Sequence, residues 1–456
     1  MLPQTFCERM KRLLGEEYPA FFHAMTKEPP VHGVRVHAVL PEVDRQTALA
    51  DLSLHPIPYT DDGYYYDGER IGSHPAHHVG LLYSQDPGAM STLSAVRIPK
   101  GSRVLDVCAA PGGKSAQLAA AVGPNGLLVS NEYVASRCKI LVGNIERLGI
   151  PNALVLHGDS QALARQFPDF FDFVLVDAPC SGEGMFRKSE EALADWSEEN
   201  VRLCAVRQRE ILRNAAATVR PGGQLLYSTC TFSTEENEEC IADFLTEHPN
   251  FRLLPFDDRI VAHTATGLPV EGCSHPMHLT RRFYPHISPG EGQYMALLEK
   301  TEEGFGESVP AYRDASAAPS KGELTILSDF FQKSMGDATL ATCVRTLGGK
   351  LLLPPPIPLP PFGVFAAGTL LGEIRGKNFF PHHHLFKTHG RHFLCKIHLT
   401  PDDPRTAAYL HGDVVSAPDL SNGYAAVMLC GVPLGGAKIV DGVAKNLYPK
   451  GLRTMK

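Results

Sequence analysis

Val104-Leu105-Asp106-Val107-Cys108-Ala109-Ala110-Pro111-Gly112-Gly113-Lys114-Ser115 joins a short apolar run to a helical stretch of small residues, Ala116 to Val122. A run of this length that ends in paired glycines reads as a buried strand turning into a helix, and glycines at such a turn let backbone amides approach a ligand closely. Outward from this stretch the chain repeats the pattern. Leu127-Leu128-Val129, Leu154-Val155-Leu156, Phe173 to Val176 and Gln224 to Tyr227 are short apolar runs separated by helix-like segments or Gly/Pro punctuation. The longest helical stretch is expected from about Glu198 to Val219, closed by Arg220-Pro221-Gly222-Gly223. This alternation predicts an α/β fold with a Rossmann-like, doubly wound parallel sheet. Phe251 to Leu254 and Tyr294 to Leu298 are expected to complete the sheet at its edge.

The glycine loop narrows the ligand. A phosphate loop needs Gly-x-x-x-x-Gly-Lys-Ser, and Gly113-Lys114-Ser115 supplies only its second half, because Cys108 occupies the first glycine's place. The dinucleotide fingerprint Gly-x-Gly-x-x-Gly is also missing. S-adenosylmethionine is the third reading. Its ribose hydroxyls call for a carboxylate at the end of the next strand, where Glu132 stands, and Asp159 after Leu154-Val155-Leu156-His157-Gly158 is the matching acid beside the adenine. Either acid alone is more often a helix cap or a solvated turn residue. Their recurrence at successive strand ends favours a shared ligand.

Two cysteines stand just past strand ends, in Asp177-Ala178-Pro179-Cys180-Ser181-Gly182 and in Ser228-Thr229-Cys230-Thr231. Parallel neighbours lie roughly 4.8 Å apart, so loops leaving adjacent strands share one cleft, the usual ligand position in such sheets. Cysteine is most often a small buried hydrophobe, which is the reading for Cys108 and Cys395 in their apolar runs. Cys180 and Cys230 instead sit among small or polar residues, and on sequence alone either is a candidate nucleophile.

Composition bounds the rest. A chain of 456 residues exceeds the ceiling for a single core, so two or three domains are expected. An apolar fraction of 43% with 20% charged residues is that of a soluble globular protein. No run approaches the ~20 apolar residues that span a bilayer, and the start lacks a basic-then-apolar leader. A cytoplasmic location with no membrane partner is expected. The 11 cysteines include no Cys-x-x-Cys pair, which argues against a disulfide framework or a thiolate zinc site. His382-His383-His384 reads as a solvated or RNA-facing patch, and no metal requirement is expected.

The net charge of −7 hides an asymmetry: Ile326 to Lys456 carries 14 Lys or Arg against 8 Asp or Glu, and the remainder carries 29 against 42. A basic tail on an acidic body fits polyanion binding by the tail. Four regions are expected: an amino-terminal module over 1–95, a catalytic core over 96–300, a linker over 301–325 rich in Glu, Gly, Ala, Ser and Pro, and a mixed or β-rich domain over 326–456.

With these motifs in hand, the chain resembles the RNA cytosine-5 methyltransferases of the Sun and nucleolar-protein family. The loop Cys108 to Lys114, the Pro179-Cys180 motif and the Thr229-Cys230 motif occur in the family's order with matching intervals. Gly72-Ser73-His74-Pro75, Arg282-Phe283-Tyr284-Pro285-His286 and Lys445-Asn446-Leu447-Tyr448-Pro449-Lys450 look like the bacterial RsmF-type branch, which acts on small-subunit ribosomal RNA.

The resemblance implies S-adenosyl-L-methionine as cofactor, bound by Cys108, Ala109, Ala110, Pro111, Gly112, Gly113, Lys114, Glu132, Asp159 and Asp177. It implies Cys230 as nucleophile toward carbon 6 of cytosine and Cys180 as the residue that assists release. Asp177 and Lys114 are then catalytic partners facing the base. Ribosomal RNA, free or in the assembled small subunit, is the implied partner. The first module and a PUA-like last domain are the implied RNA-binding parts, and a monomer is favoured. Met185-Phe186-Arg187-Lys188 is a further candidate for stacking and phosphate contacts.

Overall fold

Residues 2–37, 42–68, 71–301 and 309–454 of the chain are described by a computed structural model. The strand that opens the glycine loop, β1 (Arg103–Asp106), lies in the middle of a mixed sheet. The strands β2 (Leu127–Glu132), β3 (Ala153–His157), β4 (Phe171–Asp177) and β5 (Val219–Thr229) run parallel to it in the order β3-β2-β1-β4-β5. Beyond β5, the strand β6 (Gln293–Lys300) pairs antiparallel, and the short strands Arg281–Phe283 and Ala265–Thr266 continue the edge.

Residues one apart on a strand face opposite sides, and both sides here are covered. Leu105, Val129, Leu154, Val174 and Leu225 pack with Leu163 of helix α3 (Ser160–Gln166), Leu212 of α4 (Glu198–Ala216) and Phe244 of α5 (Glu238–Glu247). Val104, Leu128, Val155, Phe173 and Leu226 pack with Leu118 of α1 (Gly113–Val122) and Leu141 and Ile145 of α2 (Ala135–Leu148). Helices on both faces are the expected doubly wound arrangement.

The free edge of β3 is closed from an unexpected direction. Strand β7 (Val364–Ala367) comes from the basic carboxy-terminal part of the chain, pairs antiparallel with β3 and covers an otherwise open row of backbone groups. The rest of that part forms one four-stranded sheet, within Arg345–Pro381, and one five-stranded sheet, within Lys396–Asn446. At the other end of the chain, helices Gln4–Leu14 and Tyr18–Lys27 precede a four-stranded antiparallel sheet. Phe6 and Phe21 of these helices pack against Phe186, Trp196 and Phe232, which flank the two cysteine loops.

Two sequence expectations give way. Of the stretch read as a linker over 301–325, residues 302–308 lie outside the described residues. At Ala311 and Tyr312 it is docked: the Ala311 amide donates to the Gln166 carbonyl at 2.9 Å, and Tyr312 meets Phe167 edge-on at 5.6 Å. A helix, Lys321–Met335, then begins inside the stretch, with Ser320 and Glu323 capping each other's backbone amides. Its polar composition concealed a capping box. The run His382-His383-His384 is not a solvated patch, since His383 and His384 are buried at the start of the helix His383–His389. Burial holds the imidazoles of all three below their ordinary range, and His382 caps the helix by accepting from the His384 amide. Among the described residues, no helix is long and apolar enough to cross a membrane.

Candidate active site

Because β4 and β5 pair in parallel with Asp177 opposite Ser228, the loops that leave them diverge from neighbouring points. Cys180 and Cys230 meet there with their sulfurs 3.2 Å apart, both half-buried. The Cys180 thiol is pushed well above its ordinary value, first by its hydrogen bond with Cys230 and then by burial, with the nearby charge of Glu236 adding to both.

Asp177 ends β4 and is held from two sides. Ser228 Oγ donates to its Oδ1 at 2.7 Å, and Lys114 Nζ lies 2.7 Å from its Oδ2. Lys114 sits in the first turn of α1, so this ion pair ties the glycine loop to the Pro-Cys loop. The structure thus brings Cys180, Cys230, Asp177 and Lys114 together at the carboxyl ends of β1, β4 and β5.

Buried carboxylates clamp the two cysteine loops. Glu236 accepts from the Ser181 amide at 2.9 Å, from Gln208 Nε2 at 2.8 Å and from the Ser181 hydroxyl, and burial raises its carboxyl to about 7. Glu183 accepts from Thr231 Oγ1, the Phe232 amide and Trp196 Nε1, each at 3.0 Å, and burial raises it too. The Gly184 amide donates to the Cys230 carbonyl at 2.9 Å. A Cβ at Gly184 would stand 2.8 Å from that carbonyl oxygen and 2.7 Å from Gly292 Cα, so only glycine fits. Sequence reading missed Glu236, Glu183 and Gln208, because no local spacing marks a residue whose partner lies on another loop.

On the cofactor side, Gly112 takes φ +114 at the start of α1, where a Cβ would press on Leu141 at 3.1 Å. The loop is braced from α2 and β2. Arg137 Nη2 donates to the Ala110 carbonyl at 2.7 Å, Asn144 Nδ2 to Pro111 at 2.8 Å, and the Ala109 amide to the Asn131 carbonyl at 2.8 Å. Cys108 is half-buried against the sheet core, and burial raises its thiol far above the ordinary range. Beneath the loop, Ser115 Oγ donates to Asp106 Oδ2 at 2.7 Å, and burial raises the Asp106 carboxyl to about 7. Gly113 and Lys114 follow Gly112 into the helix.

Glu132 ends β2 buried, accepting from the Val134 amide at 2.9 Å, with Arg137 Nη1 at 3.5 Å. Asp159 follows β3 and caps α3, accepting from the Ala162 amide at 2.7 Å. Both acids therefore hold turns as well as standing at strand ends. Beside Asp159 lies a hollow of about 140 Å³ lined also by Asn131, Gly158 and Phe362. Asn131 Oδ1 is buried there without a hydrogen-bond partner among the described residues, while its Nδ2 bonds the Val107 and Gly158 carbonyls. An orphaned acceptor, an αL glycine cradle and acids on successive strands together fit an adenosyl ligand.

The stretch after the Pro-Cys loop does not carry the expected stacking and phosphate groups. Phe186 packs on Phe6 with ring centroids 5.0 Å apart, Arg187 pairs with Glu291 at 3.0 Å, and Lys188 pairs with Asp86 at 2.7 Å. These side chains fasten the amino-terminal segment to the core.

The strand order, the glycine loop on β1 and the acids that follow β2 and β3 define an S-adenosylmethionine-dependent methyltransferase of Rossmann-like fold. Comparison with known proteins agrees. Residues 94–299 match the profile of 16S rRNA methyltransferase RsmB/F, residues 2–87 that of the N-terminal domain of 16S rRNA methyltransferase RsmF, and residues 396–454 that of the methyltransferase RsmF PUA domain. The chain is 34% identical to the ribosomal RNA small subunit methyltransferase F of Klebsiella pneumoniae, over 99% of this chain and 96% of that protein. It is 35% identical to the namesake from Erwinia tasmaniensis over 68% of this chain and 66% of that one. The crystal structure of a methyltransferase homologue from Pyrococcus horikoshii superposes with a TM-score of 0.56 at 25% identity, covering 65% of this chain and 95% of that one. The chain belongs to the 16S rRNA methyltransferase RsmB/F family.

Proposed function

We propose that this enzyme methylates carbon 5 of cytosine in small-subunit (16S) ribosomal RNA through a transient bond between Cys230 Sγ and carbon 6 of the base. The observation that carries the reading is the pair of thiols at 3.2 Å, beside a carboxylate whose ion pair with Lys114 ties them to the glycine loop.

Carbon 5 of cytosine is too weak a nucleophile to accept a sulfonium methyl unaided, whereas thiolate addition at carbon 6 breaks the aromatic ring and makes carbon 5 electron-rich. S-adenosylmethionine, held by the loop Cys108 to Lys114 with Glu132, Asp159 and Asp177, supplies an electrophilic methyl group. Addition places negative charge toward nitrogen 3 and oxygen 2. Asp177 accepts from the exocyclic amine and, once protonated, donates to nitrogen 3, while Lys114 faces oxygen 2 as a fixed cation. The carbon 5 proton passes to water or to Cys180 as the Cys230 thiolate leaves carbon 6, and Cys180 assists that release. The base reaches the cleft only when it leaves its stack.

The choice of RNA rests on the relatives' names and on the amino-terminal and PUA profiles that flank the core. We read 1–95 and 326–456 as the RNA-binding parts and the protein as a cytoplasmic monomer that needs no metal. Ribosomal RNA carrying tritium at carbon 5 of cytosine tests the reaction. The wild-type chain is expected to release tritium with S-adenosylmethionine, and Cys230→Ala to release none. Methyl transfer without tritium release, or full turnover by Cys230→Ala, overturns the mechanism. Bisulfite mapping of RNA from cells with and without the protein distinguishes small-subunit from transfer or large-subunit RNA as substrate.

A further inference from the structure

Far along the chain from the two cysteines, the helix Lys321–Met335, the hairpin Thr369–Arg375 and Asn378–Pro381, and the paired strands Gly423–Leu429 and Val432–Val440 surround a hollow of about 380 Å³. Its floor is aromatic. Phe330 meets Phe379 at 4.6 Å and Tyr424 at 5.5 Å, both edge-on. Phe380 rises at its side with 42% of its surface exposed, one of the few large aromatic side chains that the fold leaves bare. Around these rings stand Lys333, Lys377 and Lys438, all exposed. None of the three has a carboxylate within ion-pair distance among the described residues, whereas surface arginines such as Arg209, Arg213 and Arg252 are paired. Lys438 Nζ lies 5.6 Å from the Tyr424 ring centre, and Arg375 lies 5.3 Å from that of Phe380. Among the described residues Asp329 is the one carboxylate that lines the hollow, so its charge is positive.

We propose that this hollow is a second RNA site, which takes an unstacked nucleotide of a single-stranded segment onto Phe380 and Tyr424 while Lys333, Lys377 and Lys438 hold the flanking phosphates. An exposed Phe380 and a half-buried Tyr424 among three lysines without carboxylate partners among the described residues are what single strands bind: every base has a face to stack, and every linkage carries a charge. A folded acidic partner would use the cations and leave the rings wet. The proposal rests on the reading of the enzyme as one that acts on RNA, and it places a contact for that RNA outside the catalytic cleft, in the part of the chain where basic residues outnumber acidic ones.

The test uses the full chain and a fluorescein-labelled uridine octamer, followed by anisotropy at several salt concentrations. Phe380→Ala is expected to weaken binding about fivefold or more, as loss of one base stack does, while Phe380→Tyr retains it. Changing Lys333, Lys377 and Lys438 together to Gln is expected to reduce the slope of log affinity against log salt by about 2. An octamer containing 4-thiouridine is expected to crosslink within residues 369–381 or 423–440. Unchanged affinity and salt slope in the variants, with no crosslink in those segments, overturns the proposal. Methyl transfer by the wild-type chain to ribosomal RNA is measured alongside. If it occurs while Phe380→Ala binds normally, this site alone is refuted; if it is absent while the octamer still crosslinks here, the catalytic reading fails and the site stands.

Discussion

The sulfurs of Cys180 and Cys230 lie 3.2 Å apart although 50 residues separate them along the chain. Parallel pairing of β4 and β5 with Asp177 opposite Ser228 produces that proximity, and Glu236 and Glu183 fix the loops that present the thiols. Two groups at this distance divide the labour of forming and breaking one bond. Removing the partner that assists release leaves the first step intact. Cys180→Ala is therefore expected to accumulate an RNA–protein adduct that survives denaturing electrophoresis, and Cys230→Ala and the double variant to form none. An adduct in the double variant would place the nucleophile elsewhere.

Lys114 and Asp177 form a polar hinge between the cofactor loop and the base side of the cleft. Lys114 retains only 10% of its side-chain exposure and Asp177 32%, so the ammonium is the more deeply desolvated partner. Asp177→Asn keeps the shape and the Ser228 hydrogen bond but removes the charge that Lys114 answers. Methyl transfer under single-turnover conditions is expected to fall ~100-fold or more, the usual cost of one misplaced transition-state contact. Lys114→Met is expected to fall similarly. A loss below tenfold in both variants would remove the pair from the chemistry.

Asp106 gives a pH test with a definite sign. Its carboxyl is fully buried below the glycine loop and raised to about 7, chiefly by burial and further by the charge of Asp177. A carboxyl raised in the fold favours the protonated state, so its contribution to stability is complete below the ordinary carboxylate range and is lost as pH rises through about 7. The loss amounts to at most about 4 kcal/mol. Asp106→Asn removes this dependence while still accepting from Ser115. In urea unfolding the variant is expected to gain on the wild-type chain between pH 4 and pH 8. Glu236 shifts the same way in both proteins, so their difference isolates Asp106.

Short-range patterns carried much of the fold. The apolar runs and Gly112-Gly113 were enough to locate β1 to β5 and to place the loop, because strand burial and the αL turn each leave a local signature. The two thiols and Asp177 were legible for the same reason, as residues at strand exits. What escaped depended on distant partners. Glu236 meets Ser181 across 55 residues, and β7 reaches β3 from the other end of the chain, so neither has a periodicity to betray it. His383 and His384 read as exposed because imidazole is polar, yet their rings are packed beneath the strands Thr369–Arg375 and Val432–Val440. Phe186 to Lys188 looked like a substrate surface until the amino-terminal helices covered it.

Lys387 joins parts of the molecule that are remote in sequence. Its amino group is buried and donates to the Val79 carbonyl at 2.8 Å and the Pro433 carbonyl at 2.5 Å, and Arg147 of α2 grips the same segment through the His77 carbonyl at 2.5 Å. Lys387→Met keeps the length of the chain but leaves two buried carbonyls without a donor, at a cost of about 1–3 kcal/mol each. Burial, aided by the charge of Arg147, lowers the Lys387 amine to about 7. A base depressed in the fold contributes stability that is present above its unfolded value and lost as pH falls through the folded one. The wild-type chain is therefore expected to exceed Lys387→Met most at pH 10, with the gap narrowing by pH 6. Urea unfolding at the two pH values measures this, and a gap that widens toward pH 6 would mean that the amine is held charged and the two carbonyls are its counter-dipoles.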